Sequence, residues 1–467
     1  MFSNHLKNLN HLLGKNGVLI LKSGCEKKRT FSAEFPFRVD NNFYYVSGFE
    51  EPDSILIILG GEKKAKTILF CREKNELQET WLGFRYGPKG AKKTFGFDFA
   101  FKNTEFENKL SDYLKNKTHL FWNIGDDKKL DDIIFKNIEH LKNKRGAVYP
   151  QVFQNANLLF QKLRVVKDKK EIALMKKAAE ISDAGHIRAM QNCRPNLLEY
   201  QLEAELSYAF RKNGGANFHA YTPIVAGGKN ACVLHYTQNN AVLKNKELVL
   251  IDAGAEFQNY AADITRTFPI NGKFTAAQKA IYEIVLNAQK EAIKIIKAGI
   301  DFNAPHLKVI EVFVAGLMDL KIIKKGNIEN AIEKGEWRKF YMHSTSHFLG
   351  MDVHDIGEYQ NNKKWVKLQK GMVLTIEPGL YLNAKDLKDE HSKFSNIGIR
   401  IEDNVLITEN GAEVYTHAPK EIADIEHLMG ENPRSTWIFF EKKSRSTVDF
   451  LKIPLQNQRS VALSPSF

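Results

Sequence analysis

Two apolar runs constrain this chain most, because each of them drives directly into an acid. Leu248 to Gly254 reads LVLIDAG and Val373 to Gly379 reads VLTIEPG, so each β-rich segment stops at a carboxylate beside a glycine. The likeness suggests a repeated α/β unit with Asp252 and Glu377 at matching strand ends. Apolar strands commonly finish at polar turns, so the interest lies in where these acids sit and what stands near them.

More acids follow on neighbouring segments. After the turn-prone Gly254 to Asn259, Asp263 lies in the β-rich run Tyr260 to Phe268. A hairpin centred between Phe257 and Gln258 makes Asp252 and Asp263 direct cross-strand neighbours. Two adjacent carboxylates repel unless they share a proton or hold a cation; solvated surface aspartates are the plainer alternative. Gly398 to Val405 reads GIRIEDNV, and the two-residue strand period puts Arg400 and Glu402 on one face, with Ile399 and Ile401 on the other. Four carboxylates converging on one core require divalent cations.

Histidine supplies the last donor. The segment Tyr341 to His354 contains His343, His347 and His354. The His343 and His347 pair resembles half of the zincin helix motif, but Ser344 stands where the general-base Glu follows, and Gly350 weakens a helix there. A single-zinc protease is therefore ruled out. One imidazole with four carboxylates is a hard, oxygen-rich set suited to paired Mn, Co or Fe ions.

With 467 residues and 43% apolar content, the chain is long enough for two cores. Short β-rich runs at Val18 to Leu21, Asn42 to Val46, Ser54 to Leu59, Thr67 to Cys71 and Thr118 to Trp122 predict an α/β domain. Asp168 and Glu171 form a capping box before the helical run Ile172 to Met190, which places the boundary. Tyr200 to Lys212 and Ala276 to Lys297 are also predicted helices, the latter opened by Thr275 with Gln278 and stopped by Gly299. The domains are expected at 1–160 and 165–425, with a peripheral or poorly ordered tail at 426–467.

Cys25, Cys71, Cys193 and Cys232 are scattered, as structural thiols are, and no secretory signal or membrane-spanning run stands out, which points to a cytoplasmic protein. The net charge of +13 is spread along the chain with interleaved acids, so neither a nucleic-acid nor a membrane partner is expected.

The order Asp252, Asp263, His347, Glu377, Glu402 resembles the five-ligand pattern of the pita-bread metallopeptidase superfamily, and within it the Xaa-Pro aminopeptidase (aminopeptidase P) family. The blocks FPFRVDNNFYYVSGFEEP from Phe35, LHYT from Leu234, LIDAGAEFQNYAADITRTFP from Leu250, HSTSHFLGMDVHD from His343, LTIEPG from Leu374 and IGIRIED from Ile397 carry the same likeness. It implies a creatinase-like amino-terminal α/β domain followed by a pita-bread catalytic domain. It further implies two divalent ions, most often Mn2+, with Asp263 and Glu402 shared, Asp252 on one ion and His347 with Glu377 on the other. A water shared between two such ions has its pKa lowered toward about 7, which would supply the nucleophile.

Glu377 resembles the family's proton shuttle. His235, His343 and His354 match histidines lining the substrate site, and Arg400 matches an arginine near the proline subsite. Trp81, in ETWLGFR from Glu79, resembles a tryptophan that reaches a neighbouring subunit's site, which would make the enzyme a homo-oligomer, a dimer or tetramer; a buried core tryptophan is the alternative. The expected substrates are peptides with proline at position two. Rival readings are a prolidase, a methionine aminopeptidase, and a metal-free peptide-binding relative.

Overall fold

The computed structural model describes residues 2–214 and 218–430. The part of the expected tail from residue 431 onward lies outside the described residues. Among them, no helix is long and apolar enough to cross a membrane.

The amino-terminal part is built on a six-stranded mixed sheet of β1 (Gly17–Lys22), β2 (Ile55–Leu59), β3 (Lys66–Cys71), β4 (Phe99–Lys102), β5 (His119–Phe121) and β6 (Val152–Gln154), in the order β4-β3-β2-β1-β5-β6. β1 shows why the run VLIL is apolar at every position. Val18 and Ile20 enter one core with Phe106, Leu110 and Ile134, while Leu19 and Leu21 enter a second core on the opposite face. A strand covered on both faces has no place for a polar alternation. The second core continues into the carboxy-terminal part through Tyr260, Leu349 and Met351.

One segment departs from its expected state. Asn41–Ser47 is a helix, where aromatic and β-branched content predicts a strand. Its ends explain the difference: the Asp40 side chain accepts from Phe43 N at 2.9 Å, and Gly48 closes the helix at a φ of 65°. Capping at both ends, with burial of Phe43, Tyr44 and Tyr45, outweighs intrinsic β preference.

The carboxy-terminal part carries β7 (Phe218–His219), β8 (Ile224–Gly227), β9 (Leu248–Asp252), β10 (Ala255–Phe257), β11 (Tyr260–Ala261) and β12 (Thr265–Pro269). A short ribbon of β13 (Gln360–Asn361) and β14 (Lys364–Trp365) follows. Then come β15 (Val373–Ile376), β16 (Gly379–Leu382), β17 (Ile397–Arg400), β18 (Asp403–Ile407) and β19 (Ala412–Val414). Long helices Lys169–Asn192, Glu199–Lys212, Ala276–Lys294 and Ala304–Asp319 accompany these strands. Both expected capping boxes form, Asp168 with Glu171 and Thr275 with Gln278. The third helix stops at Lys294, three residues short of the expected Lys297, ahead of Gly299 at a φ of 92°.

The helix Asn157–Arg164 runs across the expected limit at residue 160, and Ile422–Gly430 runs across the one at 425. Leu159 and Phe160 pack into the amino-terminal core, while the Arg164 guanidinium reaches Asp352 at 2.6 Å and Asp355 at 2.5 Å in the loop that carries His354.

Candidate metal centre

Both acid-tipped strands belong to long antiparallel hairpins that open near their midpoints. In the first, β9 pairs with β12, setting Asp252 opposite Thr265, and β10 pairs with β11 in the same register, setting Phe257 opposite Tyr260. In the second, β15 pairs with β18, setting Ile376 opposite Asp403, and β16 pairs with β17, setting Gly379 opposite Arg400. The acids stand where the ladders open, Asp252 and Asp263 in one hairpin, Glu377 and Glu402 in the other. The glycine after Asp252 has a steric cause, since a Cβ on Gly254 would lie 1.7 Å from the Ala262 carbonyl oxygen.

The first register corrects the expected one by two residues: Asp252 faces Thr265, not Asp263. Gln258 and Asn259 both adopt positive φ, 48° and 66°, and form a two-residue turn that centres the hairpin between them. A shift of two keeps the same face, so both aspartates still point into the site.

His347 reaches the site on an extended segment, which confirms that no zincin-like helix is present here. The segment lies along β15: His347 N donates to Thr375 Oγ1 at 3.1 Å, Thr375 N donates to the His347 carbonyl at 3.1 Å, and Glu377 N donates to Thr345 O at 2.9 Å.

Asp252, Asp263, Glu377 and Glu402 line one cavity of about 700 Å³ together with His235, His343, His347, His354 and Arg400. Among the described residues, Arg400 is the single guanidinium on that wall; it donates to Asp252 Oδ2 at 2.6 Å and to the Tyr381 hydroxyl at 2.9 Å. Three formal negative charges remain uncompensated. Accordingly, burial and then the Asp252 charge hold Asp263 well above the ordinary carboxylate range. Burial and then Glu402 raise Glu377, while burial, Asp263 and Asp252 raise Glu402. The Tyr221 hydroxyl lies 2.6 Å from Asp252 Oδ1 and also touches Asp263 Oδ1, and its one proton cannot serve both.

The donor set fits divalent cations. His347 Nδ1 lies 3.0 Å from the Phe348 carbonyl, which assigns the ring proton to Nδ1 and turns the Nε2 lone pair inward. That Nε2 faces Asp263 Oδ2 and Glu377 Oε1, each at 3.4 Å. Asp263, His347 and Glu402 present donor atoms within 4.8 Å of one another. Thr265 Oγ1 donates to Glu402 Oε2 at 2.7 Å, so the carboxylate is oriented before any ion arrives.

A stability prediction follows for the metal-free protein. Acids whose folded pKa is raised stabilise the fold fully below the ordinary carboxylate range and lose that contribution as pH rises through the raised value. The melting temperature of the chelated protein should therefore fall from mildly acid to neutral pH relative to the metal-loaded protein. A gap that stays constant with pH, measured by thermal scans, would contradict this.

The other expected site residues divide. His343 accepts from the Tyr381 hydroxyl through Nε2 at 2.9 Å and donates from Nδ1 to Ser344 O at 2.8 Å, so both nitrogens are engaged. Burial and the nearby Arg400 push its pKa down to about 3, which keeps it neutral. His354 lies against His347 with ring centroids 4.3 Å apart, and His235 is on the same wall. Trp81 does not line this chain's cavity; it is 79% exposed on the helix Glu76–Leu82, which excludes the buried-core alternative.

Sequence reasoning missed Tyr221, Tyr381 and Thr375. Only Thr265, two residues beyond Asp263 on the strand period, carried a readable signal. Tyr221 precedes β8, whose pairing of Ile224 with Asp252 brings it to the acids across more than twenty residues.

Comparisons with known proteins identify the family. Residues 173–409 match the model of metallopeptidase family M24, and residues 2–122 match the aminopeptidase P N-terminal domain. The chain belongs to metallopeptidase family M24. It is 42% identical to the Xaa-Pro aminopeptidase of Haemophilus influenzae, over 89% of this chain and 93% of that one. It is 37% identical to the Xaa-Pro aminopeptidase of Escherichia coli, over 86% and 91%. The solved structure of Pseudomonas aeruginosa aminopeptidase PepP superposes with a TM-score of 0.88 at 39% identity, covering 92% of this chain and 97% of that one.

Proposed function

We propose that this chain is a metal-dependent Xaa-Pro aminopeptidase, releasing the first residue from peptides whose second residue is proline. The observation that carries this reading is the cavity in which four carboxylates, Asp263 and Glu402 buried and Asp252 and Glu377 half-buried, and the His347 lone pair face one guanidinium. Near full-length similarity to Xaa-Pro aminopeptidases supports the substrate class.

Asp263 and Glu402 would be shared by two ions, with Asp252 completing one site and His347 with Glu377 the other. Hard oxygen donors around one imidazole favour manganese. Such ions, when bound, supply a Lewis acid and an acidified water at neutral pH. The protein's own groups do the rest. Glu377, whose Oε1 lies 3.3 Å from Thr375 Oγ1, is positioned to hold the proton taken from water and return it to the departing proline nitrogen. Arg400 is held between Asp252 and Tyr381 beside the proline subsite, and His343 braces Tyr381. His235 and His354 are the imidazoles on the wall that orient the peptide and stabilise its carbonyl oxygen.

Leu77, Trp81, Leu82 and Phe84 are all more than half exposed on and just beyond one short helix. This apolar patch supports a homo-oligomer, a dimer or tetramer, in which Trp81 meets a neighbour's substrate. Four unpaired cysteines are consistent with a cytoplasmic setting.

The test is cleavage of an Xaa-Pro-Yaa tripeptide beside an Xaa-Pro dipeptide and a Met-Ala peptide. Manganese-dependent cleavage of the tripeptide, with the Met-Ala peptide left intact, is expected. Hydrolysis confined to the dipeptide would instead identify a prolidase.

A further inference from the structure

A second constellation of metal-binding groups lies outside the cavity, where the first helix, Phe2–Leu13, meets the start of the helix Lys169–Asn192. At its centre is His5, only 2% exposed and stacked on Tyr45 with ring centroids 3.8 Å apart. Its Nδ1 lies 2.8 Å from the Tyr45 carbonyl oxygen. A carbonyl only accepts, so the ring proton belongs on Nδ1, and a neutral ring then directs a lone pair from Nε2. That lone pair points at two anions: Nε2 is 3.5 Å from Asp168 Oδ2 and 3.6 Å from Glu171 Oε2, and it has no hydrogen-bond partner.

The two acids are held in place by groups that leave this direction open. Asp168 Oδ1 accepts from Lys170 N and Glu171 N, which leaves Oδ2 toward His5. Glu171, 2% exposed, accepts from the Tyr260 hydroxyl at 3.0 Å through Oε1 and from Asp168 N at 2.8 Å through Oε2. The three donor atoms lie within 4.8 Å of one another. Ligands about 2.1 Å from a tetrahedral zinc ion stand about 3.4 Å apart, close to the two histidine separations. A cavity of about 310 Å³ adjoins them and has room for a water as the fourth ligand.

We propose that His5 Nε2, Asp168 Oδ2 and Glu171 Oε2 form a separate binding site for one divalent cation of zinc type. The ion fastens the first helix of the amino-terminal domain to the first helix of the catalytic domain. It takes no part in peptide hydrolysis.

The experiment is equilibrium dialysis of the full chain against zinc followed by elemental analysis, on the parent protein and on His5→Gln, Asp168→Asn and Asp263→Asn. Asparagine is as good a helix cap as aspartate, so Asp168→Asn removes the anion without losing the cap. The parent should bind one more ion per chain than either His5→Gln or Asp168→Asn, while His5→Gln keeps the parent's peptidase rate. Asp263→Asn should lose ions from the large cavity yet retain the one that His5 holds. Equal zinc content in the parent, His5→Gln and Asp168→Asn, each folded by circular dichroism, would show that a proton bridges these groups and would overturn the proposal.

Discussion

Replacing Asp263 with asparagine is expected to lower kcat/KM on the order of 1,000-fold or more, a loss of the size seen when a principal electrostatic element of a transition state is removed. The fold should survive. Asp263 is 5% exposed, and its backbone is held independently of its carboxylate, with Asp263 N donating to Asn404 Oδ1 at 3.1 Å and Asn404 Nδ2 donating back to Asp263 O. Asparagine keeps the volume and removes one negative charge from a cluster that already repels itself, so the metal-free variant should melt no lower than the metal-free parent. Steady-state kinetics together with thermal scans check both halves. Parental turnover in this variant is incompatible with a shared ligand at that position.

The second large effect concerns stability beneath the site. Arg266 and Asp403 are both fully buried; Arg266 Nη2 meets Asp403 Oδ1 at 2.7 Å, Nε donates to Ala418 O at 2.9 Å, and Nη1 donates to the carbonyls of Thr265 and Glu402. Arg266→Met leaves a buried carboxylate with Lys420 as its remaining cationic partner and frees the Glu402 carbonyl. Breaking a buried pair in this one-sided way costs about 3–5 kcal/mol. Urea unfolding of the metal-free variant should show that loss, and removing both charges in Arg266→Met/Asp403→Leu should recover a substantial part of it. A loss below about 1 kcal/mol in the single variant would mean that the pair is dispensable to the fold.

Much of the candidate site was legible because its donor side chains declare themselves locally. A strand that ends in DAG or EPG, and a short segment that carries His343, His347 and His354, can be found without knowing what packs against them. Register was not legible in the same way. Whether the first hairpin centres between Phe257 and Gln258 or between Gln258 and Asn259 depends on Gln258 and Asn259 both taking positive φ, a choice that neither residue type forces. The helix Asn41–Ser47 was hidden for a related reason, since Asp40 and Gly48 outside the segment decide its state.

Groups that work through distant contacts were hardest to see. Tyr221 touches Asp252 and Asp263 only because β8 pairs with β9. Arg164 holds the His354 loop through Asp352 and Asp355, nearly two hundred residues further along the chain. The edge strands Phe99–Lys102 and Val152–Gln154 carry no buried position and have correspondingly weak patterns.

The account rests on paired cations neutralising the four cavity acids, and an anomalous difference map from crystals grown with manganese tests this most directly. Two peaks should appear in the cavity, roughly 3.5 to 4 Å apart as in other two-metal sites, with oxygens of Asp263 and Glu402 touching both. A single peak, or none, among these side chains would contradict it.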